Sequence, residues 1–231
     1  MKVLGVNGSP KGRESNTDCI LQPFLKGTRD AGAEAEVIYL YDRKIAHCIG
    51  CYSCWSKTPG ECIHKDDMRD LLPKVMDADI IVWASPLYFY TVTGIMKNFI
   101  DRLFPLLSPA GGNSGNRYNQ GSQTERNESK KNVLISTCGF PGKNNFSGLI
   151  ESFRIMNGGK IEASILFAEG GLLKKDYLKE VLAPYFSAVE SAGREIVRLG
   201  YVTLETQSKI DKDAVHSLIN EHRFDKQYKP V

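Results

Sequence analysis

Five short apolar runs recur along the chain, and a segment with a helical apolar stripe stands between one run and the next. Lys2 to Asn7, Glu36 to Leu40, Asp79 to Ser85, Asn132 to Thr137 and Ile161 to Phe167 read as strands. Between them, Ser15 to Ala31 carries Ile20, Leu21, Phe24 and Leu25 on one face. Asp66 and Asp67, where N-cap and first-turn carboxylates favour a helix start, precede Met68, Leu71, Leu72 and Val75. Gly94 to Leu103 presents Ile95, Phe99, Ile100 and Leu103, and Phe146 to Met156 is a further helix. A strand apolar along its whole length, as DIIVWAS is, suits a parallel sheet buried on both faces. The alternation predicts an α/β domain on a doubly wound, five-stranded parallel sheet with helices on both faces. Leu173 to Leu199 reads as two helical pieces, because Pro184 sits well in the first turn of the second and badly inside a single helix.

Two regions break the rhythm. Ser108 to Lys130 holds Gly111, Gly112, Gly115 and Gly121 among Asn, Ser and Gln, with almost nothing apolar. An insertion of that length is an active-site lid or a mobile surface loop. Beyond the domain expected over residues 1–200, a C-terminal extension over 201–231 carries a helical stripe from Lys212 to His222 (Ala214, Val215, Leu218, Ile219) that must pack on its own domain or on a partner.

Thirty basic against 27 acidic residues leave a net charge of +3, which gives no reason to expect nucleic acid or an anionic membrane as partner. No stretch approaches the roughly 20 apolar residues of a membrane span, and the first apolar run is too short for a signal peptide. The expected location is cytoplasmic. Thiols stay reduced there, so clustered cysteines point to metal or redox chemistry rather than structural disulfides.

NGSPKGRESNT follows the first strand and opens the first helix. A turn in this place can hold a phosphate, because helix N-terminal N–H groups are unpaired and partly positive. Gly8 allows close backbone approach, and Ser9, Ser15, Asn16 and Thr17 add donors. The pattern is neither a Walker loop nor GxGxxG, and a polar turn with a Ser/Asn helix cap fits the same residues.

Together with SPLYFYTVTGIMKNFIDR after strand three and TCGFPG after strand four, GSPKGRESNT resembles the flavodoxin-like NAD(P)H-dependent FMN reductase family. The cysteine loop ending in CIHKDDM resembles the multimeric flavodoxin branch that includes the iron–sulfur flavoproteins. The resemblance covers about residues 1–200 and implies sheet order 2-1-3-4-5, with ligands at the carboxyl ends of the strands. It implies an FMN phosphate on Ser9, Lys11, Ser15, Asn16 and Thr17. Pro86, Leu87, Tyr88, Phe89 and Tyr90 would run beside the isoalloxazine, and Thr137, Cys138 and Gly139 would bring backbone N–H groups to its pyrimidine edge. Core packing is the competing use of the three aromatics, although three in succession cannot all face inward. Cys138 has no histidine near it in sequence to make it a nucleophile.

Cys48, Cys51, Cys54 and Cys62 are spaced C-x2-C-x2-C-x7-C. The first three match the interval of bacterial four-iron ferredoxin ligands, whereas zinc more often takes two separated CxxC knuckles. A [4Fe–4S] cluster, redox-active or free thiols, and zinc all remain open from the residues. The function implied is an FMN-dependent oxidoreductase passing electrons from NAD(P)H through the flavin to a quinone, another flavin, a nitro compound or a one-electron carrier. A homodimer or higher homo-oligomer is expected. The alternatives are a flavodoxin-type electron carrier, against which the basic pI of about 8.4 counts, and a metal-binding interaction module built on the cysteine loop.

Overall fold

Strand alternation sorts the apolar side chains onto two faces, and each face has its own helices. The computed structural model describes residues 1–108, 121–122 and 130–212. Strands β1 (Lys2–Asn7), β2 (Glu34–Tyr39), β3 (Ile80–Pro86), β4 (Lys131–Thr137) and β5 (Ala163–Phe167) form one parallel sheet of order β2-β1-β3-β4-β5. This is the flavodoxin-like arrangement, with its switch point at β1 and β3. One face buries Val3, Val82 and Ile135 under α1 (Asn16–Asp30) and α6 (Lys179–Arg198). The other buries Leu4, Trp83 and Leu134 under α3 (Met68–Asp77), α4 (Gly94–Asp101) and α5 (Ser147–Met156). A short α2 (Ser53–Ser56) lies in the cysteine loop.

Helices α1 and α6 pack backbone to backbone. A Cβ built on Gly193 would stand 2.1 Å from the Phe24 carbonyl oxygen, and one on Gly27 would stand 2.0 Å from that of Glu190. Only glycine at these two positions permits the approach.

The break expected at Pro184 is not there. Two 3-10 turns, Gly170–Lys174 and Asp176–Leu178, precede a single helix that runs through Pro184 to Arg198. Pro184 and Glu180 are both exposed, on the solvent side of the helix, where the hydrogen bond that the proline cannot donate is least costly to lose. The stripe Leu182, Tyr185, Ala188, Val189, Ala192 and Ile196 is buried, and that burial outweighs the local penalty. Helix α7 (Leu204–Asp211) packs on the same domain: Ile210 joins the core under α6, and Gln207 Nε2 donates to the Ser164 carbonyl at 3.0 Å. The helix expected over 212–222 falls outside the described residues except for Lys212. Most of the expected 108–130 loop does too; within it Gly121–Ser122 pairs antiparallel with Leu107–Ser108. Among the described residues no helix is long and apolar enough to cross a membrane.

Candidate functional site

The turn after β1 is held from inside. Asn7 Oδ1 accepts the Ser9 N–H at 2.9 Å, while Asn7 Nδ2 donates to Asp18 Oδ1 at 2.9 Å. Thr93 Oγ1 donates to the Gly8 carbonyl at 2.6 Å, and a Cβ on Gly8 would meet that of Met96 at 2.7 Å. The glycine is therefore required by α4, not only by a ligand. Ser15 is the N-cap of α1: its hydroxyl accepts the Asp18 N–H at 3.0 Å and donates to the Gly12 carbonyl at 2.7 Å. Ser9 is buried with its Oγ accepting the Lys11 N–H at 3.3 Å, Asn16 is half-buried, and Lys11 is exposed. Among the described residues nothing accepts from the N–H groups of Arg13, Asn16 and Thr17. Those N–H groups lie in the turn and the first turn of α1, where an anion is favoured.

The other two motif segments join this turn. Thr17 Oγ1 and Thr137 Oγ1 are hydrogen-bonded at 3.0 Å, and the Leu87 N–H donates to the Thr137 carbonyl at 2.8 Å. Tyr88 and Thr91 exchange backbone hydrogen bonds at 2.9 and 3.0 Å across a two-residue turn. Phe89 (φ 47°) and Tyr90 (φ 64°) are both left-handed, which makes it a type I′ turn normally built from glycine or asparagine. Each bulky residue held so costs about 1–2 kcal/mol. None of the aromatics is core: Tyr88 is 49% exposed, Phe89 99% and Tyr90 65%.

After β4, the backbone donors are unequally free. The Cys138 N–H is spent on the Phe167 carbonyl at 3.2 Å, and the Cys138 carbonyl accepts from Gly170 at 2.7 Å. The Gly139 N–H has no acceptor among the described residues, and open space surrounds the position of its absent Cβ. Burial pushes the Cys138 thiol up, away from thiolate character, and its Sγ donates to the Phe140 carbonyl at 3.1 Å.

Cys48, Cys51, Cys54 and Cys62 line one half-open pocket of about 50 Å³, several times the room a water needs. Cys48 and Cys51 are exposed, Cys54 is buried and Cys62 half-buried. Hydrogen bonds from Ser53 pull the Cys51 thiol down, while burial, then the neighbouring Cys62, push Cys54 up. Trp55 Nε1 donates to the Phe104 carbonyl at 2.9 Å and its ring lies 5.1 Å from that of Phe104, fastening the loop to the segment after α4. Among the described residues no three His, Cys, Asp or Glu side chains are gathered as tightly as a single metal ion requires. The pocket does not open on the phosphate turn. Its wall includes Asp101 and Arg102, whereas Thr93 touches Gly8, so α4, about 12 Å long, separates the two.

Two polar residues of this pocket escaped the sequence reading. Arg102 is 1% exposed and pairs with Asp66 through Nη1 (2.6 Å) and Nη2 (3.0 Å), and Nη1 also donates to the Ala46 carbonyl at 2.9 Å. Burial opposes its charge, but Asp66 and the Cys62 sulfur raise its pKa above the usual value. Among the described residues, Arg102 Nε and His64 Nε2 are buried without hydrogen-bond partners. The signal for Arg102 was present: it continues the inward positions Met96 and Phe99 at a spacing of three.

The family described as NADPH-dependent FMN reductase matches residues 1–120. The chain is 40% identical over 105 residues to an iron–sulfur flavoprotein of Archaeoglobus fulgidus, covering 46% of each chain. It is 40% identical over 106 residues to one of Methanocaldococcus jannaschii, covering 46% of this chain and 53% of that one. The match thus spans about half the length of these relatives. An FMN-dependent NADH:quinone oxidoreductase of an Exiguobacterium species is 27% identical over 217 residues, covering 88% of this chain and 99% of the relative. The fold is shared with an FMN-dependent NADH-azoreductase of Bacillus anthracis at a TM-score of 0.61 and 18% identity, covering 85% of this chain and all of the other. With just over half its residues matched and a flavodoxin-like sheet beneath the matched motifs, the chain belongs to the NADPH-dependent FMN reductase family.

Proposed function

We propose that the chain is an FMN-dependent oxidoreductase that takes electrons from NAD(P)H and passes them to a quinone, another flavin, a nitro compound or a one-electron carrier. The observation that carries this reading is the set of acceptor-less backbone N–H groups at Asn16, Thr17 and Gly139, on segments tied together through Thr17, Thr137 and Leu87. Bound FMN supplies the redox chemistry. The protein binds and orients it. Asn16 and Thr17 donate to the phosphate, with Ser9, Lys11 and Ser15 around them, and the Pro86–Tyr90 segment faces the ring plane. Gly139 offers its N–H to the pyrimidine edge, where a donor stabilises the negative charge that grows on reduction. Thr137 and Cys138 support that edge by position, since the Cys138 N–H is already bonded.

The second part of the proposal is a [4Fe–4S] cluster on Cys48, Cys51, Cys54 and Cys62. Three observations support it: the four thiols share one pocket, two buried nitrogens without partners belong to that pocket, and relatives at 40% identity are named iron–sulfur flavoproteins. Such a cluster takes one thiolate per iron, which suits sulfurs spread around a wall, whereas zinc needs all four within about 2.3 Å of one ion. The exposed Phe89, Tyr90 and Phe140 suit cover by a second copy, so the working form is a homodimer or higher homo-oligomer, in the reducing cytoplasm.

The test is the absorption spectrum and FMN titration of the purified protein, followed by NADH and NADPH oxidation with each acceptor class. Failure to bind FMN sinks the oxidoreductase reading. Anaerobic reconstitution should give about four irons per chain. Cys54→Ala should remove the iron and leave FMN bound, because the phosphate turn lies at the other end of α4. Reconstitution that yields no iron refutes the cluster.

A further inference from the structure

The cysteine pocket contains two nitrogens that the flavin site does not use. An unpaired buried donor is destabilising, more so when it carries charge, and Arg102 Nε belongs to a guanidinium that is 1% exposed. The fork of Arg102 is occupied at its far end. Nη1 and Nη2 hold Asp66 at 2.6 and 3.0 Å, and Nη1 reaches the Ala46 carbonyl at 2.9 Å, which leaves the Nε–H edge. Arg102 lines the pocket and Asp66 does not, so the ion pair presents its positive end to the thiols. Asp101, the other charged residue on the wall, is held by Lys97 at 2.6 Å. His64 follows Cys62 by two residues, and its Nε2 is likewise buried in this wall with no partner among the described residues.

Four thiolates around an iron–sulfur core leave a net negative charge, which grows by one unit when the cluster accepts an electron. Hydrogen bonds to the sulfurs and nearby positive charge favour the reduced form and raise the reduction potential. Resting on the cluster reading above, we propose that Arg102 and His64 are positioning residues that donate Nε–H and Nε2–H to sulfur atoms of the cluster or its Cys62 ligand, making the cluster easier to reduce. Arg102 also fixes the ligand loop, because it binds Ala46 ahead of the first cysteine and Asp66 behind the last. Helix α4 carries this residue at one end and the Thr93 contact with Gly8 at the other, so the sulfur donor and the phosphate turn are held at a constant separation.

The experiment uses the anaerobically reconstituted full chain with FMN and reads two quantities: iron per chain, and the cluster midpoint potential from an EPR-monitored redox titration. Arg102→Lys keeps a cation for Asp66 but has no Nε–H. His64→Phe keeps a ring, loses the nitrogen and leaves the ion pair intact, which keeps the inference testable if the first variant does not fold. The expected result is full iron in both, with the cluster potential shifted to more negative values and the flavin potential unmoved. A purely structural role for these residues would lower the melting temperature and leave the cluster potential where it was, and that result in both variants overturns the inference alone. Absence of iron from the wild-type protein overturns the cluster reading and this inference with it.

Discussion

Ser15 and Asn16 are neighbours in the phosphate turn, yet the structure gives them different work, and alanine at each separates the two. The Ser15 hydroxyl is 2% exposed as a residue and makes two internal bonds, from the Asp18 N–H at 3.0 Å and to the Gly12 carbonyl at 2.7 Å. Losing an N-cap costs about 0.5–2 kcal/mol, and the Gly12 carbonyl keeps the Ser15 backbone N–H at 3.1 Å, so Ser15→Ala should cost about 1 kcal/mol in all. For a chain of this size each kcal/mol moves Tm by about 2–4 °C, which puts the apo-protein Tm lower by about that much. Asn16 is half-buried and its side chain makes no hydrogen bond among the described residues. Asn16→Ala should therefore leave the apo Tm within about 2 °C. If its amide holds the phosphate, the loss is a hydrogen bond to a charged group, about 1.5–3 kcal/mol, or roughly 10- to 150-fold in Kd for FMN. Thermal melts of the apo-protein by circular dichroism and FMN titration by fluorescence quenching read the two quantities separately. Ser15→Ala with an unchanged melt but much weaker FMN binding would refute the reasoning, because its hydroxyl would then be a ligand rather than a cap. Unchanged FMN affinity in Asn16→Ala removes that side chain from the site.

Three further outcomes test the packing, the turn and the buried ion pair. Gly193→Ala drives a Cβ to 2.1 Å from the Phe24 carbonyl and must part α1 from α6, costing about 1–3 kcal/mol; an unshifted urea midpoint would contradict it. Phe89→Gly relieves a left-handed residue that is 99% exposed, so stability should rise by about 0.5–1 kcal/mol while FMN binding weakens, and a lower Tm would count against the strain account. Burial works against the charge of Asp66, but the Arg102 fork and the N–H groups of Ala46 and Met68 hold its carboxyl below the usual range. Its folded pKa thus lies below the unfolded one. The stabilisation is present above about pH 4 and is lost as the pH falls through the folded value, so Asp66→Asn should flatten the acid limb of the stability–pH curve; a limb parallel to the wild type would refute the assignment.

Sequence by itself determined the architecture, because burial on two faces is written locally. The runs Val3–Val6, Ile80–Ala84 and Val133–Ile135 are apolar on both alternating sets, and that alone demands a sheet covered on each side. The exposure of Tyr88, Phe89 and Tyr90 was legible in the same way, since consecutive residues cannot all face one core. What tertiary structure alone decided is where each hydrogen bond goes. That the Cys138 N–H is taken by Phe167 while the Gly139 N–H stays free depends on a partner 29 positions away, and no local pattern encodes it. The same holds for Pro184, where burial of Tyr185 and Val189 against α1 overrides a local preference for a break. It holds most for Arg102. Its place just past α4, in line with the inward Met96 and Phe99, could be counted from the sequence, but its pairing with Asp66, 36 residues away, and its Nε in the cysteine pocket, unpaired among the described residues, arise only when two distant loops are brought together by the packed sheet between them.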